Sequence, residues 1–416
     1  MPARRPADDP AAGLTGDAVI HVARRTYGRL IAYLSARTRD IAACEDALSA
    51  AFESALKTWP DRGVPENPEA WLLTAARNRL RDTWRRDAVR QKGESELLAL
   101  MEQAETMTTD TVFPDERLKL MLVCTHPAID EAVRTPLMLQ AVLGLSAERI
   151  ASAFLVKPGA MGQRLSRAKT KIRDAGIAFA VPESDAWAER LPPLLAAIYA
   201  AYALGWGDHA GGDAPGGLAD EALELGFALY GLVGLTPELN GLLALILYCE
   251  ARKAARFRDG AYVALSEQDP ARWDWAMIDG ANRLLKATEA ARPFGRYQLE
   301  AAIQSVHARR GLTGATAWGE IVVLYDALLR TAPSMGGQVA RAAALCEAGE
   351  EAAALAALDG MDVQRMLDYQ PWWATRAHVL ARLEQPEAAR QAYSRAIGLS
   401  QHASQRDFLR RRQALL

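Results

Sequence analysis

Apolar residues recur at helical spacing along most of this chain. From about Asp17 to Trp59, Ile20, Ala23, Tyr27, Leu30 and Leu34 form one stripe. Ile41, Cys44, Leu48, Phe52 and Trp59 form another, and the phase breaks near Arg39-Asp40. DRGVPENP (61–68) reads as a turn. Asn67 suits the N-cap and Pro68 the first position of a third helix, which runs from Glu69 to about Arg90. Between Lys92 and Glu116 the stripe fades, and Pro114 to about Arg173 forms a second helical unit. VPESD (181–185) marks another boundary, and from Trp187 onward helix follows helix. The clearest interruption there is GWGDHAGGDAPGG (205–217), while RFRDGAYVAL (256–265) reads as a small hairpin around Asp259-Gly260. The expected fold is all-α, with two small helical domains, the second a helix-turn-helix, then a helical extension with at most one β-hairpin.

The last third carries a weak period. Trp373, Ala377, Leu380, Ala389, Tyr393 and Ala396 fall at tetratricopeptide spacings, and Ala342, Leu345, Gly349 and Ala354 give a second match. Tyr325, Leu358 and Tyr393 lie 33 and 35 residues apart, near the ~34-residue repeat. An irregular helical bundle is the competing description. The breaks divide the chain into a disordered tail (1–16), a helical domain (17–91), a linker (92–113), a helix-turn-helix domain (114–180), a helical extension (186–295) and repeat-like helices (296–416).

Charge refines this outline by its distribution, since the net charge is only −2. One basic run comprises Arg77, Arg79, Arg81, Arg85, Arg86, Arg90 and Lys92, opposed by Asp82 and Asp87. Another comprises Lys157, Arg164, Arg167, Lys169, Lys171 and Arg173, with no acid among them up to Arg173. Between them lies an acidic linker with Glu94, Glu96, Glu102, Glu105 and Asp110. Two phosphate-contacting surfaces joined by a segment that DNA repels would look like this, whereas either run alone is as well explained by a solvated helix face. The four cysteines are far apart with no CxxC pair, as expected of free thiols in a reducing cytoplasm, and no metal site is expected. The N-terminus MPARRPADDPAAG lacks a signal peptide's apolar core, and no apolar run reaches ~18 residues, so no membrane contact is expected.

The second run sits in a helix-turn-helix. Ser146 caps a short helix through Phe154 with Ile150, Ala151 and Phe154 inward, Leu155-Val156-Lys157 turns, and Pro158 starts the next helix. Met161, Leu165, Ala168 and Ile172 face the core, so Gln163, Arg164 and Arg167 point outward, where a recognition helix meets base edges and phosphates.

The first 180 residues resemble the extracytoplasmic-function sigma factors of the sigma-70 family. CEDALSAAFESALKTWP (44–60) is similar to the helix that grips the polymerase clamp, PEAWLLTAARNRLRDTWRR (68–86) to the helix that melts and reads the minus-10 promoter element, and LSAERIASAFLVKPGAMGQRLSRAKTKIR (145–173) to the minus-35 reader. The whole chain resembles the subgroup with a long tetratricopeptide-like extension, through LLALILYCEARKAAR (242–256), LSEQDPARWDWAMI (265–278) and RYQLEAAIQSVHA (296–308). It departs from that subgroup at Cys124-Thr125-His126, at Ala160 and Gly162 in the recognition helix, and in the Gly-rich loop.

The resemblance implies a sigma factor that binds core RNA polymerase and promoter DNA, with no cofactor and no catalytic centre. Asp46, Ser49 and Glu53 are the polymerase-facing candidates, with Leu48 and Phe52 as rivals for the core. Trp71, Arg77, Asn78, Arg81, Trp84, Arg85 and Arg86 are the minus-10 candidates, and Lys157, Gln163, Arg164, Arg167, Lys169 and Lys171 the minus-35 candidates. Trp59 and Trp71 compete for core roles, and capping is the favoured role of Asn67. Residues 93–113 are expected to thread polymerase channels. The extension is expected to contact the sigma domains, through Arg296–Ala308 and the Asp259 hairpin, or to recruit a further protein. A helix-turn-helix regulator with a sensing repeat domain is the alternative; an enzyme built on Asp269, Asp274 or His307 lacks any phosphate-loop, metal or nucleophile motif.

Overall fold

The computed structural model describes residues 10–91, 115–154, 156–183, 186–208 and 217–416. Nineteen helices and one two-stranded hairpin are found among them, which agrees with the all-α expectation. The 92–113 linker and most of the Gly-rich loop lie outside the described residues. The chain forms two compact units, one through Ala228 and one from Leu229 onward.

In the first unit, α1 (Pro10–Thr38) and α2 (Ile41–Arg62) are separated by Arg39, whose φ of 57° turns the chain, and by Asp40. The Asp40 carboxylate accepts the Ala43 amide at 3.0 Å, so one of α2's free N–H groups is satisfied. The helix begins at Pro10, within the tail expected to be disordered. Asn67 caps α3 (Pro68–Gln91) by accepting the Ala70 amide at 3.0 Å. Leu30, Ile31, Leu34, Ile41, Leu48 and Leu72 are fully buried where these three helices meet.

The same unit continues with α4 (Arg117–Cys124), α5 (Glu131–Ala141), α6 (Ala147–Ala153) and α7 (Pro158–Asp174). Ser146 caps α6 through the Arg149 amide at 3.2 Å, and Pro158 opens α7, both as read from the sequence. Ile150, Met161, Leu165 and Ile172 form the inner face, but Phe154 is turned outward at 37% exposure. It falls at the helix's end, where the backbone has left helical phase. The next helix, α8 (Trp187–Asp208), packs on α4 and α5, so its start belongs to this unit's core; α9 (Leu218–Val233) begins here too. Cys44 and Cys124 are free and buried.

The second unit centres on α10 (Pro237–Glu250), whose residues Leu239–Tyr248 are all buried. It packs against α11 (Trp275–Lys286) and α12 (Arg296–Thr313), and Gly241 lets the α12 backbone at Gln298 approach closer than any side chain would permit. The hairpin pairs β1 (Phe257–Arg258) with β2 (Ala261–Tyr262), as the Asp259-Gly260 turn predicts. Six further helices follow in sequence: α13 (Trp318–Thr331), α14 (Met335–Glu347), α15 (Glu351–Asp359), α16 (Val363–Met366), α17 (Gln370–Arg382) and α18 (Pro386–Leu399). The last helix is α19 (Ala403–Ala414). Neighbouring helices pack on one another, and Ala377, Leu380, Ala389, Tyr393 and Ala396 share one buried cluster. The hairpin is covered by α19: Tyr262 meets Phe408 edge-on at 5.4 Å, and Arg412 pairs with Glu267. No helix among the described residues is long and apolar enough to cross a membrane.

Candidate nucleic-acid interface

Helix α3 carries the first basic run. Leu72, Leu73, Ala76 and Leu80 bury one face, which leaves Asn78, Arg79, Arg85 and Arg86 exposed, with Arg81 and Trp84 partly exposed. Arg77 turns back into its own domain: its guanidinium donates to the Tyr33 hydroxyl at 2.9 Å. Trp59 is 2% exposed and meets the half-buried Trp71 edge-on at 5.5 Å, so Trp59 is core and Trp71 only partly so. The outward cationic surface is therefore concentrated at the C-terminal end of the helix, around Trp84, Arg85 and Arg86. Side chains of Asp87–Gln91 lie outside the described residues, as does Lys92.

Helix α7 carries the second run. Lys157, Gln163, Arg164, Arg167 and Lys171 are exposed, on the face opposite Met161, Leu165 and Ile172. Gly162 has nothing within 4 Å of where a Cβ would stand. Lys169 behaves differently. It is 8% exposed, and its ammonium lies 2.5 Å from the Glu45 carboxylate of α2. Arg173 approaches Asp40, the α2 cap, at 3.7 Å. In this conformation Lys169 is turned away from the exposed face that carries Gln163, Arg164 and Arg167. Burial pushes the Glu45 carboxyl above its ordinary range, and Lys169 offsets this in part.

Helix α2 presents a separate face. Asp46, Ser49 and Glu53 are exposed, whereas Leu48 is fully buried and Phe52 half-buried. Leu56, which the sequence reading passed over, continues this face and is 50% exposed. The 46, 49, 53, 56 spacing is the signal that would have found it. Glu53 pairs with Lys57 at 2.6 Å across one exposed turn, which holds its carboxyl below the usual range.

Three further charged contacts tie α8 and α9 to α4 and α5 within the first unit. Arg117 is 10% exposed at its side chain and is held by Asp115 at 2.7 Å, Glu221 at 3.1 Å and Glu224 at 3.4 Å. Arg134 binds Glu189 at 3.2 Å, and Arg190 donates to the Leu122 carbonyl at 2.9 Å. Burial raises Glu221 to about 7 despite Arg117, while Arg117's hydrogen bonds outweigh burial at Asp115 and hold that carboxyl low. These partners lie 55 to 107 residues apart, so no periodicity announces them. The segments expected to make such contacts, Arg296–Ala308 and the Asp259 hairpin, are engaged by α10 and α19 in the second unit. His126 accepts the Ala128 amide through Nδ1 at 3.1 Å, a turn-stabilising role beside the buried Cys124.

Comparison with known proteins bears on the first helical domain. Residues 22–90 match Sigma-70 region 2, which covers α2 and nearly all of α3. Residues 190–289 match a family of unknown function, DUF6596. An uncharacterised protein of Rhizobium meliloti (strain 1021) is 36% identical over 402 residues, covering 94% of this chain and 93% of that protein. No solved structure matches. The chain is a sigma-70 family factor, and it belongs to one family with that Rhizobium meliloti protein.

Proposed function

We propose that this chain is a sigma factor of the extracytoplasmic-function type, acting in the cytoplasm, with a helical, tetratricopeptide-like extension that sets its activity. The observation that carries this reading is the pairing of a Sigma-70 region 2 with a second basic helix, α7, in a capped helix-turn-helix. Core polymerase docks on the α2 face formed by Asp46, Ser49, Glu53 and Leu56. The α3 end around Trp84, Arg85 and Arg86 takes the unstacked minus-10 strand, the aromatic for a base and the cations for phosphates. Arg164, Arg167 and Gln163 enter the major groove of the minus-35 element. The chain supplies binding, with no chemical step of its own.

Intramolecular control is supported by Glu189, Arg190, Glu221 and Glu224, which join the first extension helices to α4 and α5. These contacts also decide how the extension is best removed. A cut at residue 181 strips α8 from the core of the first unit, whereas a cut after Ala228 keeps that core. Run-off transcription with purified core polymerase tests the reading. The full chain should support transcription from its own upstream region, and charge reversal at Asp46 and Glu53 should abolish it while leaving the circular-dichroism spectrum unchanged. Altered transcription by the chain cut after Ala228, with purified components alone, supports control by the second unit. The contacts of Glu189, Arg190, Glu221 and Glu224 survive that cut, so Glu189→Ala combined with Arg190→Ala in the full chain tests control through them. Wild-type transcription by both variants leaves recruitment of an outside partner.

A further inference from the structure

The stretches 242–256, 265–278 and 296–308 meet in the second unit, and their meeting point collects cations. Arg252 follows α10. Gln304, His307 and Arg310 recur at spacings of three along α12, so they share one ridge. Arg252 is 6% exposed; it donates to Gln304 Oε1 and, weakly, to Cys249 Sγ at 3.9 Å. Arg310 donates to the Leu265 and Gln268 carbonyls at 3.1 and 2.8 Å, and lies 5.1 Å from the centre of the Trp273 ring. Burial and these two guanidiniums hold the His307 imidazole at about 4.

A buried guanidinium is normally matched by a carboxylate, because a low-dielectric interior penalises an uncompensated charge. Arg252 forms no ion pair with any described residue. The acids close by are engaged elsewhere. Glu250 pairs with Lys253 at 3.6 Å, and Asp269, which acts on Arg310, is exposed and caps the Ala271 amide at 3.0 Å. Three polar atoms here are buried without a partner: Arg252 Nη1, Trp273 Nε1 and Gln268 Oε1. All three residues are anchored to α12 through Gln304 and Arg310, which lie about 9 Å apart along its axis. The Asp274 amide donates to the Ala251 carbonyl at 2.8 Å, which sets Trp273 and Arg252 on adjoining stretches of backbone. Water would satisfy the hydrogen bonds but leave the charge unmatched. A hydrogen phosphate ion satisfies both: its oxygens accept from the guanidinium and the indole, and its O–H donates to the amide oxygen.

We propose that Arg252, Gln268, Trp273 and Arg310 form an enclosed site in the second unit for inorganic phosphate, bound as the hydrogen phosphate ion. The site lies within one unit and does not depend on how the first unit is read. Arg252 Nη1 is closed to solvent, so the ion enters when the segment between α10 and α11 opens locally. Once bound, it ties that segment to α12, and the folded chain gains stability as phosphate rises.

Equilibrium dialysis of the full chain against radiolabelled inorganic phosphate, in high chloride, should show saturable uptake of a single ion. Exposed arginines also attract phosphate, so the chain carrying both Arg164→Ala and Arg167→Ala is the control and should keep that uptake. Arg252→Met removes the charge at similar length and should weaken uptake by roughly thirtyfold or more. Sulfate, which lacks the O–H, should compete about tenfold less well; equal competition overturns hydrogen phosphate as the ion recognised. Phenyl phosphate should not displace the ion from an enclosed site; displacement overturns inorganic phosphate in favour of a phosphate ester. General stabilisation by phosphate excluded from the surface neither saturates nor depends on Arg252. If Arg252→Met does not fold, the unaltered chain still decides. The His307 ring resonances should titrate at higher pH with phosphate than without, because a bound anion favours the imidazolium. Absence of saturable uptake, uptake that survives Arg252→Met, or a His307 titration indifferent to phosphate overturns the site.

Discussion

Helices α3 and α7 announce themselves in the sequence by the same signal, a cluster of arginines and lysines around an apolar stripe, yet their cations meet different fates. On α3 the division is internal to one domain: Arg77 folds back on Tyr33, while Arg85 and Arg86 remain in solvent. On α7 the division is made by another domain. Arg164, Arg167 and Lys171 stay outside, but Lys169 and Arg173 meet acids of α2. Helical phase tells which side chains leave their own core; it does not tell which of the outward ones a distant segment will cover. A covered cation is held by a partner and matters to stability, and an uncovered one is available for phosphate or base.

Arg117 should break this comparison most visibly, because among the described residues it is the cation with the most carboxylates around it. Arg117→Ala leaves Glu221 largely buried without its partner and should cost about 3 kcal/mol in urea unfolding. Arg85→Ala, on the exposed end of α3, should change stability by less than ~0.5 kcal/mol. Equal small effects would show that the covered and uncovered cations are not distinct classes.

The uncovered cations of α7 come next. Arg164→Ala and Arg167→Ala should each lower promoter affinity by ~1–3 kcal/mol if they read bases, with the loss confined to sequences changed at the contacted position. If they hold phosphates, binding should fall evenly across sequences and the salt dependence should flatten by about one ion per residue. Unchanged binding by the double variant would remove α7 as the reading helix.

Glu221 tests the acidic side of the same network. Its carboxyl titrates at about 7 in the folded chain against 4.5 when free. Between those values the folded state holds a proton that the unfolded state has released. Its contribution to stability is therefore complete below about pH 4.5, declines as pH rises, and is gone above about pH 7. The decline should amount to about 3 kcal/mol, and Glu221→Gln should abolish it. Thermal unfolding from pH 4.5 to 8 measures this; an unaltered pH slope in the variant would assign the proton to another group.

What the sequence disclosed follows the range over which each signal acts. Caps at Asn67 and Ser146, the Pro158 helix start, the Arg39-Asp40 break and the Asp259-Gly260 hairpin are decided by a few neighbouring residues, and all were legible. Phe154 was assigned inward because its phase fits, but the helix ends under it. The α1 start at Pro10 was missed because that stretch is Pro- and Ala-rich, which composition alone reads as disorder. Lys169–Glu45 and Arg117–Glu221 join residues 124 and 104 positions apart, and nothing local marks them. At the candidate site the exposed half of each basic run was therefore readable, and the covered half was not.

Gly162 is the finest test of the uncovered face. It sits inside α7, where glycine costs about 1 kcal/mol relative to alanine, and no neighbour occupies the space a methyl group would take. Within the chain, then, packing offers no reason for a glycine here, in contrast to Gly28 and Gly241, whose missing side chains admit a neighbouring backbone. Gly162→Ala should raise stability by about 1 kcal/mol, read as a higher urea midpoint with an unchanged slope. Gly162 lies one residue before Gln163 and two before Arg164, on the side that α7 leaves open. If the helix backbone approaches DNA there, the more stable variant should bind promoter DNA less well, so that stability and affinity move in opposite directions. A variant that gains stability and keeps full promoter affinity would mean that DNA does not come close at this point, and that α7 meets the groove through its longer side chains alone.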